Sequence, residues 1–364
     1  MNSASNGYTR CDFEFSTYSL DGNVTADRNH ALPRVGSPFG QQRPDSAETP
    51  VLNIELPARH PFDARGIFSF LEARAIAGVE IADLSQQDKL IYARSFILPS
   101  GPAAVRLVAR NHGSEGWSLT AELELADLCD QAAAISRIRR LLDLDADSSA
   151  IDAALQEDPA LAPSVLRTPG IRVPGAIDPH ELVIRAIVGQ QISVKAARTH
   201  LSRLATQAGA LYTSNFDGLD RLFPTSREII ETVPEPAAET PLDPQRVLRL
   251  PRRSISALRG AASALESGEL AIGFESDPEL LRQNLLRTPG IGPWTAAYLS
   301  MRVLADPDAW MRNDVALVSG AARLGILEPP HSKSSSHRLL EDYAQRWSPW
   351  RSYASMHLWQ AASG

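Results

Sequence analysis

The chain contains few cysteines and no long hydrophobic run. Among its 364 residues only Cys11 and Cys129 are cysteines, too few for a framework of disulfides or for an iron–sulfur cluster, which usually takes about four thiolate ligands. No apolar segment approaches the roughly 20 residues that a membrane-spanning helix needs. The start, MNSASNGYTRCDFEF, also lacks the apolar segment of a secretory signal. These absences predict a cytoplasmic protein without an iron–sulfur cluster.

The composition is that of an ordinary globular protein with an acidic balance. Hydrophobic residues make up 43% and charged residues 22%, and the formal net charge is −7. For a nucleic-acid-binding protein the distribution of charge matters more than its sum. One stretch contains five arginines and no acidic residue: Arg246, Arg249, Arg252, Arg253 and Arg259. The stretch is typical of a phosphate-binding face or of a solvated basic face.

The order of patterns along the chain predicts an α+β fold. Residues 1–48 are polar, without sustained periodicity, and are predicted to be a disordered extension. Residues 49–126 form an α/β domain in which VLNIEL, FILPSGPAAVRLVAR and WSLTAELEL are predicted strands of a small antiparallel sheet. A helix from about residue 67 to residue 76 interrupts them. From residue 127 onward helical periodicity dominates.

Two apolar helices joined by a glycine-rich turn form the most informative stretch, LLRTPGIGPWTAAY at 285–298. Pro289 disfavours helical geometry in the residue before it, and Pro293 can open the second helix, so we expect a helical hairpin over about residues 278–304. Gly290 and Gly292 permit backbone conformations closed to other residues and a close approach of a ligand. Backbone N–H groups turned outward in such a loop bind anions such as a nucleic-acid phosphate. The alternative is a tight turn between two core helices.

A shorter copy of the turn occurs earlier in the chain. LRTPGI stands at 166–171 and again at 286–291. The first copy lacks the second glycine and the helix that follows it. We therefore do not predict a second phosphate site there.

A carboxylate follows the hairpin at a fixed distance. Asp314 lies twenty residues after Trp294, in the segment MRNDVAL at 311–317. Taken alone, an aspartate after an asparagine is most often a helix cap. Beside a phosphate-binding turn, it could instead act on the nucleotide that the phosphate positions.

Together, the hairpin, MRNDVAL and the segment RWSPWRSYASMHLW at 346–359 resemble the helix-hairpin-helix-GPD DNA glycosylases, and among them the bacterial alkylbase glycosylases. FSFLEARAIAGVE at 68–80 and IRAIVGQQISV at 184–194 extend the resemblance to most of residues 50–364. It implies a two-lobed, mostly helical core after the sheet domain. One lobe comprises residues 127–177 plus 306–364, and the other residues 178–305 with the hairpin.

The resemblance implies an enzyme that removes alkylated bases, such as 3-methyladenine and 7-methylguanine, from duplex DNA and so initiates base excision repair. Asp314 matches the catalytic aspartate of the family. Trp294, Tyr298 and Trp359 match aromatic residues of the substrate pocket. Relatives that also cut the strand use a lysine where Trp294 stands, so we expect a monofunctional glycosylase.

The resemblance also implies a set of DNA contacts. Gln190 or Gln191 is predicted to fill the gap left by the extruded base, although the resembled enzymes have leucine at the position of Gln191. The remaining predicted contacts are the hairpin residues Gly290, Gly292 and Thr295 and the basic residues Arg252 and Arg253. The predicted partner is damaged double-stranded DNA, bound by a monomer associated with the nucleoid.

A monovalent cation is a further implication of the resemblance. The family's hairpin holds Na⁺ or K⁺ through backbone carbonyls, and the matching positions are Leu286, Thr288 and Ile291. No other cofactor is expected.

Two other functions remain open at this point. The chain could be a noncatalytic DNA-binding protein that retains the hairpin, or a glycosylase for oxidised or mismatched bases with strand-cutting activity. Asp314 and the aromatic residues favour catalysis over the first. The missing hairpin lysine and the missing cluster cysteines disfavour the second.

Overall fold

The structure of the chain is a computed structural model that describes residues 51–236, 241, 243–327 and 333–363. The predicted extension at 1–48 lies outside the described residues. Within them the α+β class is confirmed, since one antiparallel sheet is followed by helices. None of the described helices is both long enough and apolar enough to cross a membrane.

Five antiparallel strands form the sheet, in the order β1-β5-β4-β3-β2. The strands are β1 (Val51–Glu55), β2 (Glu80–Asp83), β3 (Lys89–Leu98), β4 (Gly101–Asn111) and β5 (Trp117–Leu125). The predicted strand over FILPSGPAAVRLVAR is wrong in one respect, because Pro99 and Ser100 turn the chain between β3 and β4. The segment Pro99-Ser100-Gly101-Pro102 is a turn signal, so the hairpin between β3 and β4 could have been predicted from the sequence.

The described residues contain thirteen α-helices. The first seven are α1 (Ala64–Ala73), α2 (Gln131–Leu141), α3 (Ser148–Gln156), α4 (Ala162–Arg167), α5 (Pro179–Val188), α6 (Val194–Ala208) and α7 (Ser226–Thr232). The others are α8 (Arg252–Ser267), α9 (Pro278–Arg287), α10 (Pro293–Val303), α11 (Val315–Arg323), α12 (Lys333–Ala344) and α13 (Arg351–Ser363). The predicted hairpin is therefore α9 and α10, joined by five residues.

The three largest clusters of buried apolar side chains hold most of these elements together. The first lies between the sheet and helices α1 and α2. The second is built by α5 to α10 and receives Ile76 and Val79 from the sheet domain. The third joins α3 and α4 to the C-terminal helices, with Met301 of α10 and Trp347 among its members. α10 thus contributes to two clusters and lies where they meet.

A buried ionic network connects the sheet domain to α5. Glu80 of β2 accepts from Arg185 at 2.5 Å and from the hydroxyl of Tyr92 at 2.5 Å. Glu181 accepts from Arg94 at 2.7 Å and from Arg185 at 2.7 Å. Burial alone would raise the pKa of Glu80, but the neighbouring Arg185 and Arg94 lower it. Mutual pairing of two carboxylates and two guanidinium groups makes the burial of these charges tolerable.

Candidate active site

The hairpin begins and ends where its sequence dictates. Asp277 caps α9 by accepting the N–H of Leu280 at 2.8 Å, and Pro278 occupies the first turn. Gly290 has φ +88°, a conformation that side chains rarely adopt. A Cβ built on Gly290 would lie only 2.4 Å from the Cβ of Ala257 on α8. Glycine is therefore required at 290 by both the backbone angle and the packing against α8.

The hairpin presents several backbone donors together. In the described part of the chain, no protein acceptor is found for the N–H groups of Gly290, Gly292, Trp294 and Thr295. The last two belong to the first turn of α10, where the helix carries partial positive charge. Gly292 leaves open space, since a Cβ there would meet no atom within 4 Å. The arrangement suits an anion that approaches along the axis of α10.

Asp314 is held by three hydrogen bonds at the start of α11. Its Oδ1 accepts from the N–H groups of Ala316 at 2.8 Å and Leu317 at 2.9 Å, so it is the helix N-cap. Its Oδ2 accepts from the indole Nε1 of Trp294 at 2.7 Å. Asp314 can therefore be both the helix cap and the predicted catalytic group, because one oxygen caps α11 and the other faces Trp294.

An aromatic wall lies beside this carboxylate. Trp294 and Tyr298, one turn apart on α10, are stacked with ring centroids 5.1 Å apart and planes at 13°. Trp359 of α13 meets Tyr298 edge-on at 6.5 Å. These three rings and Asp314 line one cleft of about 980 Å³. The structure therefore brings the four residues predicted for catalysis and the pocket to one place.

Two arginines that the sequence analysis missed lie behind Tyr298. Arg302, one turn further along α10, donates to the Tyr298 hydroxyl at 2.6 Å and to the carbonyl of Gly175 at 2.7 Å. The guanidinium of Arg74 lies 3.6 Å from the ring centroid of Phe70. Burial alone would raise the pKa of Tyr298, but Arg302 and Arg74 outweigh it and lower that pKa. The i, i+4 spacing of Tyr298 and Arg302 was the available signal for this contact.

The two glutamines of the GQQIS loop have different roles. Gln190 donates from Nε2 to the carbonyl of Gly290 at 2.8 Å and to Oγ1 of Thr295 at 3.0 Å, so its side chain lies against the hairpin. Gln191 is exposed, has φ +60°, and accepts from Nη2 of Arg253 at 2.9 Å. The side chain of Gln190 is thus bonded to the hairpin, and that of Gln191 to α8.

Some arginines of the basic stretch make contacts within the protein, and others lie near the hairpin. Arg246 donates to the carbonyls of Asp243 and Leu250. Arg259 pairs with Glu235 at 3.0 Å and donates to backbone carbonyls of the α7 region. Arg252 and Arg253 stand in the first turn of α8, next to Gly290's packing partner Ala257. Only part of the predicted basic face is therefore near the hairpin.

The predicted cation site uses carbonyl oxygens of the same turn. The carbonyl of Thr288 accepts the N–H of Ile291 at 3.1 Å, and its second lone pair stays available. No cluster of three or more His, Cys, Asp or Glu side chains that could hold a metal occurs among the described residues. A cation at Leu286, Thr288 and Ile291 stays a prediction.

Comparison with known proteins places the chain in a family. Residues 53–178 match the model of the AlkA N-terminal domain. A Mycobacterium tuberculosis protein named probable bifunctional transcriptional activator/DNA repair enzyme AlkA is 36% identical over 343 residues, covering 94% of this chain. The chain spans only 62% of that relative's length. The Escherichia coli protein named DNA-3-methyladenine glycosylase 2 is 30% identical over 305 residues, covering 82% of this chain and 94% of the relative.

Solved structures share the fold at lower identity. The 3-methyladenine DNA-glycosylase from Archaeoglobus fulgidus superposes with a TM-score of 0.66 at 18% identity, covering 86% of this chain and 98% of that one. An 8-oxoguanine glycosylase/lyase from Clostridium acetobutylicum superposes with a TM-score of 0.52 at 14% identity, covering 78% and 98%. The fold is therefore common to glycosylases of different names. The sequence matches show that the chain belongs to the family of AlkA and DNA-3-methyladenine glycosylase 2.

Proposed function

We propose that the chain is a monofunctional DNA glycosylase that hydrolyses the N-glycosidic bond of alkylated bases in duplex DNA and so initiates base excision repair. 3-Methyladenine and 7-methylguanine are the expected substrates. The observation that carries the proposal is the Asp314 carboxylate, fixed 2.7 Å from the indole nitrogen of Trp294 on the wall of an aromatic cleft. The name of the E. coli relative agrees with this substrate class.

The first step is binding of the DNA backbone. The four N–H donors at 290–295 and the positive end of α10 fit one backbone phosphate. The target bond cannot be reached inside a duplex, so the nucleotide has to rotate out of the stack. We assign the filling of the resulting gap to Gln191, because the side chain of Gln190 is engaged with the hairpin.

The second step is recognition of the base. An alkylated purine such as 3-methyladenine carries positive charge, which is attracted by the face of an aromatic ring by roughly 0.5–2 kcal/mol. The indole of Trp294 and the edge-on ring of Trp359 offer such surfaces on the cleft. Arg302 and Arg74 line the same cleft next to Tyr298 and Phe70, and their charges repel a cation. A cationic base is therefore favoured next to Trp294 rather than deep against the arginines.

The third step is bond cleavage. As the bond to the base breaks, the sugar acquires the positive charge of an oxocarbenium ion. The carboxylate of Asp314 stabilises this charge and can accept a proton from the attacking water. A cationic base leaves without a dedicated general acid. Since Trp294 stands at the lysine position of strand-cutting relatives, no amine is available for a Schiff base and the product is an abasic site.

The proposal extends to the state of the protein. A single chain contains the hairpin, the cleft and the carboxylate, so we propose that it acts as a monomer on nucleoid DNA in the cytoplasm. The hairpin carbonyls of Leu286, Thr288 and Ile291 would hold the structural monovalent cation.

Release of free base from methylated DNA tests the proposal. We expect chromatography to detect 3-methyladenine and 7-methylguanine, and alkali treatment to be needed before the DNA strand breaks. Binding to methylated DNA without release of base would refute catalysis. Strand breakage without alkali would refute the monofunctional assignment.

A further inference from the structure

The turn at 189–191 is attached to the hairpin by one side chain. The Nε2 of Gln190 reaches the carbonyl of Gly290 at 2.8 Å and the hydroxyl of Thr295 at 3.0 Å. Thr295 is buried at 3% exposure and belongs to the first turn of α10. Gln190 therefore joins the turn to the same backbone segment that offers its N–H groups to a phosphate.

A second attachment holds the neighbouring residue. Gln191 adopts φ +60°, which is uncommon for a residue with a side chain. Its Oε1 accepts from Arg253 of α8 at 2.9 Å. The backbone before it is fixed as well, since the N–H of Gly189 donates to the carbonyl of Arg185 at 3.0 Å, and Arg185 belongs to the buried ionic network. The exposed amide of Gln191 is thus presented by a constrained turn.

Helix α8 connects the hairpin to the turn at 189–191. Ala257 lies one turn after Arg253 and touches Gly290, where no Cβ could fit. α8 consequently contacts both the hairpin and the turn. The distance between the phosphate donors and the Gln191 amide is set by three direct contacts rather than by a flexible loop.

We propose that Gln190 and Arg253 are positioning residues that present the Gln191 amide to the base opposite the lesion, and that the rate of excision depends on that base through Gln191. This inference rests on the proposed glycosylase function. When the lesion leaves the stack, the opposite base loses its hydrogen-bond partner, and unpaired polar groups are costly. A glutamine amide offers one acceptor and two donors, and it can satisfy either pyrimidine or purine edges to different extents.

The first experiment measures insertion without chemistry. The probe is a duplex that contains a tetrahydrofuran abasic analogue beside 2-aminopurine, whose fluorescence reports unstacking. At saturating protein, we expect Gln190→Ala to lose most of the fluorescence change seen with the wild-type protein. The control is Gln283→Ala, which removes an exposed amide of α9 bonded to Glu279 and should behave as wild type.

The second experiment measures dependence on the opposite base. Single-turnover excision of 7-methylguanine is compared opposite cytosine, opposite thymine and opposite the abasic analogue. We expect the wild-type rates to differ by roughly tenfold, equivalent to about 1.4 kcal/mol, and the Gln191→Leu rates to converge. In the Gln191→Leu background, Arg253→Ala should leave the ratio of the rates opposite cytosine and thymine unchanged, because an arginine that acts on this ratio through Gln191 has no effect on it without Gln191.

These outcomes separate the inference from the function on which it rests. Wild-type fluorescence and opposite-base ratios in Gln190→Ala would overturn the positioning role, as would additive effects of Arg253→Ala and Gln191→Leu on the opposite-base ratio. Failure of the wild-type protein to release any base, with a normal fluorescence change, would refute the glycosylase instead. If Gln190→Ala does not fold, Thr295→Val removes one of its two acceptors and should show the same defect in weaker form.

Discussion

Replacing Asp314 by asparagine removes the charge of the candidate catalytic group and leaves most of its surroundings intact. Asparagine is as good an N-cap as aspartate, so one amide oxygen can still accept from Ala316 and Leu317. What disappears is the second oxygen, which accepts from Trp294. This hydrogen bond goes to a charged carboxylate and contributes about 1.5–3 kcal/mol, so the free energy of unfolding should fall by no more than roughly that amount.

The effect on the reaction should be much larger. Two unit charges about 4 Å apart attract by about 4 kcal/mol at an effective dielectric constant of about 20. Loss of that attraction between Asp314 and the positive sugar corresponds to a roughly thousandfold lower rate of bond cleavage. Binding of DNA should change little, because the phosphate donors belong to the hairpin and not to α11.

Single-turnover release of 7-methylguanine, measured with the enzyme in excess, gives the rate of cleavage directly. Affinity for a duplex with an abasic analogue is measured in parallel. Asp277→Asn is the matched control, since it makes the same substitution at the N-cap of α9. An Asp314→Asn protein that keeps more than about a tenth of wild-type activity would refute the electrostatic role.

Three other predictions follow from single contacts. Trp294→Phe keeps a ring over Tyr298 but removes the hydrogen bond to Asp314. The rate of single-turnover excision should fall about 10- to 100-fold, in line with the roughly 1.5–3 kcal/mol that a hydrogen bond to a charged group contributes. Equal rates for the variant and the wild type would show that the indole nitrogen does not orient the carboxylate. Gly290→Ala should lower the melting temperature, whereas Gly292→Ala should not, because only at 290 would a Cβ collide with α8; equal melting temperatures would contradict this. Burial raises the pKa of Asp143 to about 6, so the protonated carboxyl stabilises the folded state fully below the ordinary pKa of 3.8, and this stabilisation is lost as the pH rises through 6. In urea unfolding, the free energy of unfolding of Asp143→Asn should therefore gain about 2–3 kcal/mol relative to wild type between pH 4 and pH 7. A difference between the two proteins that does not change with pH would contradict this.

Local signals in the sequence were sufficient for the hairpin. Asp277, Pro278, Gly290 and Pro293 each restrict the backbone within a few residues, and the helices begin and end beside them. The ionic network was not predictable in the same way. Asp178 and Glu181 have the spacing of a capping box, but the carboxylate of Glu181 binds Arg94 and Arg185 instead. Nothing near Glu181 in sequence indicates a partner 87 positions away.

The repeated LRTPGI segment shows why a motif alone does not define a phosphate site. Both copies end a helix and continue into a glycine with positive φ, +74° at Gly170 and +88° at Gly290. At Gly170, however, the N–H donates to the buried carboxylate of Asp152 at 2.8 Å. The N–H of Gly170 in the first copy thus has an acceptor within the protein, whereas the N–H of Gly290 in the second copy is open to an external anion. The difference depends on which side chains the fold places nearby, and the segment itself does not encode it.

The ionic network has a consequence for how this protein can be divided. The match to the AlkA N-terminal domain ends at residue 178, the cap of α5, which invites cutting the chain there into two modules. Glu181 and Arg185 lie just beyond that boundary and are neutralised by groups that lie before it. Breaking a buried pair costs about 3–5 kcal/mol, a large part of the 5–15 kcal/mol that stabilises a typical domain. The sheet and the helices should therefore unfold as one unit, and the turn that carries Gln191 is anchored through Arg185 to Glu80 of β2.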